Sequence, residues 1–237
     1  MKLIIPLLLC LFTTTNITTA APSASDPNKD LMPEIKWELL KEASEYKIFR
    51  GKTAHESGIY PLKMEATIAA PLPLVLTVLN DTERKPEWVP NMLTSATIKK
   101  VSEYEKIERG TYDAPWPVND REFLVRITAE LELQEGSNKG PAKIVGATAK
   151  ISSVDLPDFP LPAKGLVRGQ SYNGNVVLKS VDNDTKTYFQ IIFFNDFKGS
   201  LPVFIVNFVQ REWPENFISK LKSQLQKPNL SLSPLFL

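Results

Sequence analysis

Pro115-Trp116-Pro117-Val118-Asn119-Asp120-Arg121-Glu122-Phe123 is the stretch on which the fold turns. Two prolines flank a tryptophan, so the backbone is pinned in an extended loop that cannot join a sheet interior. Asn119 and Asp120 then supply turn chemistry. From Arg121 onward the side chains alternate: Arg121, Phe123, Val125, Ile127, Ala129, Leu131 and Leu133 on one side, Glu122, Leu124, Arg126, Thr128, Glu130 and Glu132 on the other. That pattern predicts a long strand with one apolar face. A stiff aromatic loop feeding such a strand suits the mouth of a curved sheet around an apolar interior.

Outward from this stretch, the chain of 237 residues is long enough for one domain with a sizeable core. Its first residues read as a signal peptide over 1–20. Lys2 is a positive start, Leu3 to Phe12 is an apolar run too short to span a bilayer, and Thr18-Thr19-Ala20-Ala21 ends in small residues. An uncut membrane anchor is the alternative, disfavoured by the short run and the small-residue site. Cleavage after Ala20 predicts an exported protein, periplasmic or extracellular. Residues 21–33 read as a flexible leader with Pro22 and Pro27. The one cysteine, Cys10, falls in the signal segment, so the mature chain is expected to hold no disulfide and no Cys ligand. Without Lys2 the chain carries 27 basic and 27 acidic residues. Neutrality without a basic cluster speaks against nucleic acid and against strong attraction to anionic membranes.

Trp37, Leu39 and Leu40 predict an amphipathic helix from Glu34 to Glu45. Strands are expected at Tyr46 to Lys52 and Ile59 to Ile68. Pro71 and Pro73 open a helix with the stripe Leu72, Val75, Leu76 and Leu79, and a turn comes next, from Asp81 to Trp88. Further strands are expected at Ser95 to Val101, Lys106 to Tyr112, Arg121 to Leu133, Ala142 to Ser153, Leu166 to Ser180 and Lys186 to Phe194. Loops fall at Gly136 to Gly140 and, with three prolines, at Leu156 to Gly165. A closing helix starts near Pro202. Its first half is apolar almost all round, its second half repeats Phe217, Leu221 and Leu225, and Pro214 predicts a kink or restart. Lys227 to Leu237, with Pro228 and Pro234, is a C-terminal tail, either loose or an apolar plug. The order of elements predicts an α+β fold with an antiparallel sheet and a long terminal helix.

Enzymatic signals are weak. The single histidine, His55, sits in a polar stretch. Phosphate-loop, dinucleotide and nucleophile-elbow patterns are absent, and no catalytic residue, metal site or cofactor is expected. Asp182 and Asp184 lack calcium-loop spacing. Parity separates Glu103, Glu105 and Glu108. The stronger signal is apolar surplus: Phe189, Ile191 and Phe193 on one strand face, Phe123, Val125 and Ile127 on another. A curved sheet covered by an apolar helix is either filled or hollow.

Several stretches resemble the START-type lipid-binding domains of the Bet v 1-like, helix-grip superfamily. Pro115 to Phe123 resembles its "PWP…DRDF" segment. Trp37-Glu38-Leu39 followed by Tyr46-Lys47-Ile48-Phe49-Arg50 resembles its opening, Arg84 to Trp88 its "R..W" turn, and Val167-Arg168-Gly169 with Gly174 its "VRG…G" strand. Asn195 to Pro202 with Val206-Asn207 resembles the entry to its closing helix, with Ser200 in place of a glycine and Phe204 in place of a tryptophan. The resemblance implies a START-like domain over residues 34–226, with a curved antiparallel sheet wrapped around the C-terminal helix. It implies a monomer that binds, and transfers, a lipid or other hydrophobic small molecule, with transient membrane contact. Trp116, Phe123, Val125, Ile127, Phe189, Ile191, Phe193, Phe204 and Phe208 are the candidate ligand-binding residues. Trp116, the Leu156 to Gly165 loop and the closing helix are candidate gates. Ile127 stands where some sterol-binding members place a pocket arginine, so an all-apolar lining and an uncharged ligand are expected. A polyketide cyclase or aromatase on the same fold, or a secreted interaction module with a filled core, are the alternatives.

Overall fold

The alternation after Asp120 becomes a fifteen-residue strand, Asp120–Gln134, third from one end of a ten-stranded sheet. The computed structural model describes residues 35–52, 60–135, 141–199, 201 and 203–237, without the side chains of 203–211. In chain order the elements are β1 (Lys36–Glu42), β2 (Tyr46–Lys52), β3 (Leu62–Ile68), α1 (Leu72–Asn80), β4 (Met92–Lys100), β5 (Glu105–Tyr112), β6 (Asp120–Gln134) and β7 (Lys143–Ser153). β8 (Leu166–Arg168), β9 (Gln170–Ser171), β10 (Gly174–Val181), β11 (Lys186–Phe193), β12 (Asn195–Asp196) and α2 (Val203–Leu225) complete them. The sheet order is β1-β2-β3-β11-β10-β7-β6-β5-β4, with β8 alongside β6; β9 and β12 form a small separate pair. All neighbours are antiparallel except β6 and β8. This is the expected α+β, helix-grip architecture.

Register turns the one-dimensional pattern into rungs of inward side chains. One rung runs Leu131, Ala147, Leu178, Phe189, Ala66, Tyr46; the next runs Ala129, Ala149, Val176, Ile191, Met64, Ile48. The two helices settle onto these rungs, α2 over β3 and α1 over β11, β10 and β7, and fill the space there. Leu72 and Val75 of α1 and Leu221 of α2 are wholly buried there, with Phe217 stacked 6.0 Å from Phe189.

α1 begins as its prolines dictate, with Pro71 at the N-cap and Pro73 in the first turn, where no backbone N–H is needed. α2 runs unbroken from Val203 to Leu225 with Pro214 inside it, so the expected restart does not occur. Its second half packs as the spacing requires, with Phe217, Ile218 and Leu221 buried. Salt bridges Lys41–Glu215 and Lys222–Glu45 tie this half to the β1–β2 hairpin. The 227–237 tail is a plug. Ser233 N donates to Thr77 Oγ1 of α1, and a 3-10 turn over Pro234–Phe236 buries Phe236 in the core.

Two expectations are corrected. The helix predicted from Glu34 to Glu45 is the strand β1, paired from Lys36↔Lys52 to Glu42↔Lys47 with a register slip between Leu39 and Lys41. Ala43 N bonds Tyr46 O to close the hairpin, and the ladder offered by β2 overrides the helical spacing. The single strand expected from Leu166 to Ser180 is three pieces, because the segment changes partner from β6 to β12 and then to β7 and β11. Gly169 lies at the first change: a Cβ there would come within 2.5 Å of the Phe123 ring. The slip in β1 has counterparts in β4, between Met92 and Thr94 and between Thr97 and Lys99. The signal segment 1–20, His55 and the Gly136–Gly140 loop lie outside the described residues.

Leu221 is wholly buried where α2 meets the rungs. Leu221→Ala is therefore expected to lower unfolding free energy by about 2–5 kcal/mol, read as a shift of the urea midpoint at unchanged slope.

Candidate functional site

The rungs are hollow toward the β5–β6 end. A cavity of about 340 Å³ lies between the sheet and the helices. Its wall is Phe123, Val125, Ile127, Ala129 and Leu131 of β6, Ala147, Ala149 and Ile151 of β7, Val176 of β10, and Ile191 and Phe193 of β11; Leu76 and Leu79 of α1 and Trp213 and Phe217 of α2 close it. Small residues make the hollow: Ala129 and Ala149 are paired on one rung, and Ala147 stands opposite Leu131 on the next. Trp213 is fixed by an Nε1 hydrogen bond to Pro90 O at 3.2 Å and by edge contact with Phe193 at 5.2 Å.

The rim at one end is made by the loop 113–118 with Phe197 and Leu201, and at the other by residues 103–105 with Leu235 and Phe236 of the tail. Arg121 clasps the first rim. Buried at the base of β6, it donates from Nε to Phe197 O at 2.7 Å, from Nη2 to Lys198 O at 3.1 Å and from Nη1 to Asn119 O. The Asp120 side chain accepts from Ala114 N at 3.0 Å, closing the base of the Trp116 loop. Lys198 and Gly199, with φ of 53° and 70°, turn the chain toward α2; the left-handed conformation suits glycine at the second position. On the opposite face Glu122, 1 % exposed, accepts from Arg109 Nε at 2.5 Å and from Arg168 Nη2 at 2.6 Å. Burial pushes its carboxyl up, but the two arginines outweigh burial and hold it below the usual carboxylate range.

β5 brings charge into the apolar wall. Register places Glu108 opposite Val125 and Lys106 opposite Ile127, on the inward face. Glu108, 5 % exposed, accepts from Lys85 Nζ at 2.6 and 2.7 Å, from Thr82 Oγ1 at 2.9 Å and from Ser95 Oγ at 3.3 Å, with Lys106 Nζ 3.3 Å away. Burial pushes this carboxyl up, yet Lys85 and Lys106 prevail and keep it below its ordinary value. Tyr112, on the same face, lies edge-on to Phe123, and burial together with the Glu108 charge pushes its hydroxyl well above the usual tyrosine range. The expected all-apolar lining is therefore corrected. An acid faces the pocket, and its counter-charges come from β5 itself and from the turn after α1, not from the Ile127 position. Among the described residues no cluster of His, Cys, Asp and Glu suits a metal ion.

The family model of the START domain matches residues 31–230. The chain belongs to the START family. The human StAR-related lipid transfer protein 5 superposes with a TM-score of 0.69 at 16% identity, covering 83% of this chain and 89% of that one. A STAR-related lipid transfer protein fragment from Xanthomonas axonopodis gives a TM-score of 0.63 at 23% identity, covering 81% and 99%. An acetyl-coenzyme A thioesterase of Mus musculus is 23% identical over 180 residues; the match takes in 76% of this chain but only 30% of that protein.

Within this START domain the candidate ligand residues separate. Phe123, Val125, Ile127, Ile191 and Phe193 line the cavity. Phe189 shares the strand face of Ile191 but is fully buried under Phe217, one rung into the filled half, so it is core and not lining. Trp116 is 89 % exposed and does not line the cavity. The side chains of Phe204 and Phe208 lie outside the described residues. Trp88 is buried against Phe217 at 5.3 Å and also borders the cavity. Sequence reasoning missed Glu108, Lys85, Lys106 and Tyr112; the inward direction of the β5 residues among them is set by the β5–β6 register. The available signal was the even spacing of Lys106, Glu108, Gly110 and Tyr112 opposite a strand already read as inward-facing.

Because the folded-state carboxyl of Glu122 sits below its unfolded value, its contribution is complete above the ordinary carboxylate range and is lost as pH falls through the folded value. Glu122→Gln is expected to cost about 1–3 kcal/mol near neutral pH, and that gap from wild type should close as pH is lowered below about 4. Denaturant unfolding of both proteins across this range checks it.

Proposed function

We propose that this START domain binds and carries a lipid or another largely apolar small molecule in the 340 Å³ cavity, as an exported protein acting without catalysis. The observation that carries the reading is the row of small residues in an otherwise well-filled set of rungs. Ala129, Ala147 and Ala149 leave space beside Val176 and Leu178 where larger side chains would complete a core. Burial of apolar ligand surface, at about 25 cal/mol per Å², supplies the driving force. Family membership and the likeness to lipid transfer proteins support the same reading.

Exchange with a bilayer fits the rim. Trp116 and Leu161, 89 % and 88 % exposed, lie on loops that feed the parallel neighbours β6 and β8 at the same end of the sheet. Large apolar side chains held out from the surface suit contact with a membrane interface. Arg121 joins the Trp116 loop to the entry of α2, which makes these two segments one gate.

The inward Glu108, Tyr112 and Arg121 suggest an enzyme of the cyclase type as the second reading. Their states favour binding over proton transfer. Glu108 is held ionised, Tyr112 is held protonated, and the Arg121 bonds go to backbone carbonyls, so none of the three is poised near neutral pH. The thioesterase match spans less than a third of that protein, so its activity as a whole is not carried over.

Native mass spectrometry of protein purified from its own host should show a bound apolar species that organic extraction releases. Ala149→Phe, which fills the hollow rung, should fold with an unchanged or raised melting temperature and lose that species. Retention of the ligand by a folded Ala149→Phe protein would place binding elsewhere, and a domain that carries nothing and takes up no apolar probe would be a filled module. The rim is tested separately. Trp116→Ala with Leu161→Ala should reduce co-sedimentation with neutral phosphatidylcholine vesicles several-fold while leaving the melting temperature in place.

A further inference from the structure

The wall around Glu108 holds more positive charge than negative. Lys85 and Lys106 both converge on one carboxylate, and all three side chains are at most 15 % exposed. The other carboxylates bordering the cavity do not restore the balance: Glu105 is paired with Arg126 on the outer face, and Glu103 and Asp113 stand at the exposed rim. Asp81, next to the turn, is half-buried and accepts from Arg84 N; its charge offsets part of that of Lys106, but as the weakest of the influences on that ammonium. Burial first, and then the charge of Lys85, push the Lys106 ammonium down, and Glu108 and Asp81 together do not bring it back to its ordinary value.

Hydrogen-bond capacity is left over in the same place. An ammonium has three donors. Lys106 spends its own on Asn80 O at 2.8 Å, Thr82 Oγ1 at 2.5 Å and the Glu108 side. Lys85 places two on the Glu108 oxygens and keeps one. The Tyr112 hydroxyl has no partner among the described residues. Gly110 lets the Tyr112 ring lie back along β5: a Cβ at Gly110 would stand 3.3 Å from Tyr112 Cε2 and 3.6 Å from its hydroxyl oxygen. That direction carries the hydroxyl along the strand toward Glu108.

We infer that the cavity selects an amphiphile with a hydrocarbon body and a single negative charge, such as a long-chain carboxylate, its head seated against Lys85 and the Tyr112 hydroxyl on β5. The unspent positive charge is costly in an apolar wall and is neutralised when the anion enters. Two donors of different origin match the two oxygens of a carboxylate. The inference rests on the binding reading above, and it replaces the uncharged ligand expected from an all-apolar lining.

Displacement of Nile red, a neutral apolar dye, tests it with dodecanoate, 1-dodecanol and methyl dodecanoate, three competitors of one chain length. Dodecanoate is expected to compete about tenfold better than the alcohol or the ester. Lys85→Gln should bring that ratio close to one, Tyr112→Phe should lower it, and Glu108→Gln, which removes the negative charge and leaves both lysines, should raise it. Circular dichroism confirms that each variant is folded. If dye and alcohol bind but the alcohol competes as well as the acid, or if the preference survives Lys85→Gln, the charge inference is overturned while the cavity reading stands. If Lys85→Gln does not fold, the opposite shift in Glu108→Gln decides. If neither dye nor competitors bind, the cavity reading falls and the charge inference falls with it.

Discussion

A sheet of ten strands presents an inner face wider than its two helices can cover. α1 has nine residues and α2 twenty-three, or roughly 14 Å and 35 Å of helix at about 1.5 Å per residue. α2 settles over β3 and α1 over β11, β10 and β7, where Leu72, Val75, Phe217 and Leu221 complete the rungs. The β5–β6 side is spanned by less. There the residues facing inward are small or lie along the wall, and the gap persists as a cavity. The tail adds the one extra piece of cover, Leu235 and Phe236, at the far rim. The filled half anchors the helices, so the hollow half can stay hollow without the sheet collapsing.

β6 shows how one strand serves both halves of this arrangement. Arg121 and Glu122 are consecutive, so the pleat sends them to opposite faces. Arg121 ties the rim loops from inside, and Glu122 locks Arg109 and Arg168 outside. β8 lies parallel to β6 through Asp120↔Leu166 to Glu122↔Arg168, so the second proline-rich loop reaches the same rim as the first. The apolar residues beyond them, from Phe123 to Leu131, need only alternate to make the wall.

The features legible in the sequence are those with a short period. The inward set of β6, the stripe of α1 and the Phe217–Leu221–Leu225 repeat of α2 each declare a face locally, and each is where the pattern placed it. β1 was misread because Trp37, Leu39 and Leu40 fit helical spacing as well as a strand with a slip, and only the partner β2 decides. Phe189 and Ile191 have the same parity, and nothing local says that the helices cover one and leave the other bare. The charged β5 residues show the same limit. Parity correctly set Glu108 apart from Glu105, but which of the two faces inward is fixed by the pairing Glu108↔Val125 across to β6.

The slips in β1 and β4 fall at the two outer strands of the sheet. An outer strand offers unpaired amides and carbonyls to any passing chain, and a straight one is a template for fibril growth. Here Lys36, Glu38, Lys41 and Glu42 decorate one border and Lys99 and Lys100 the other, on backbones whose pairing is interrupted. A neighbouring molecule that tried to extend the ladder would meet broken spacing and side chains that must shed water to be covered. The same irregularities that look like flaws in the pairing guard a broad, strand-rich protein against stacking edge to edge.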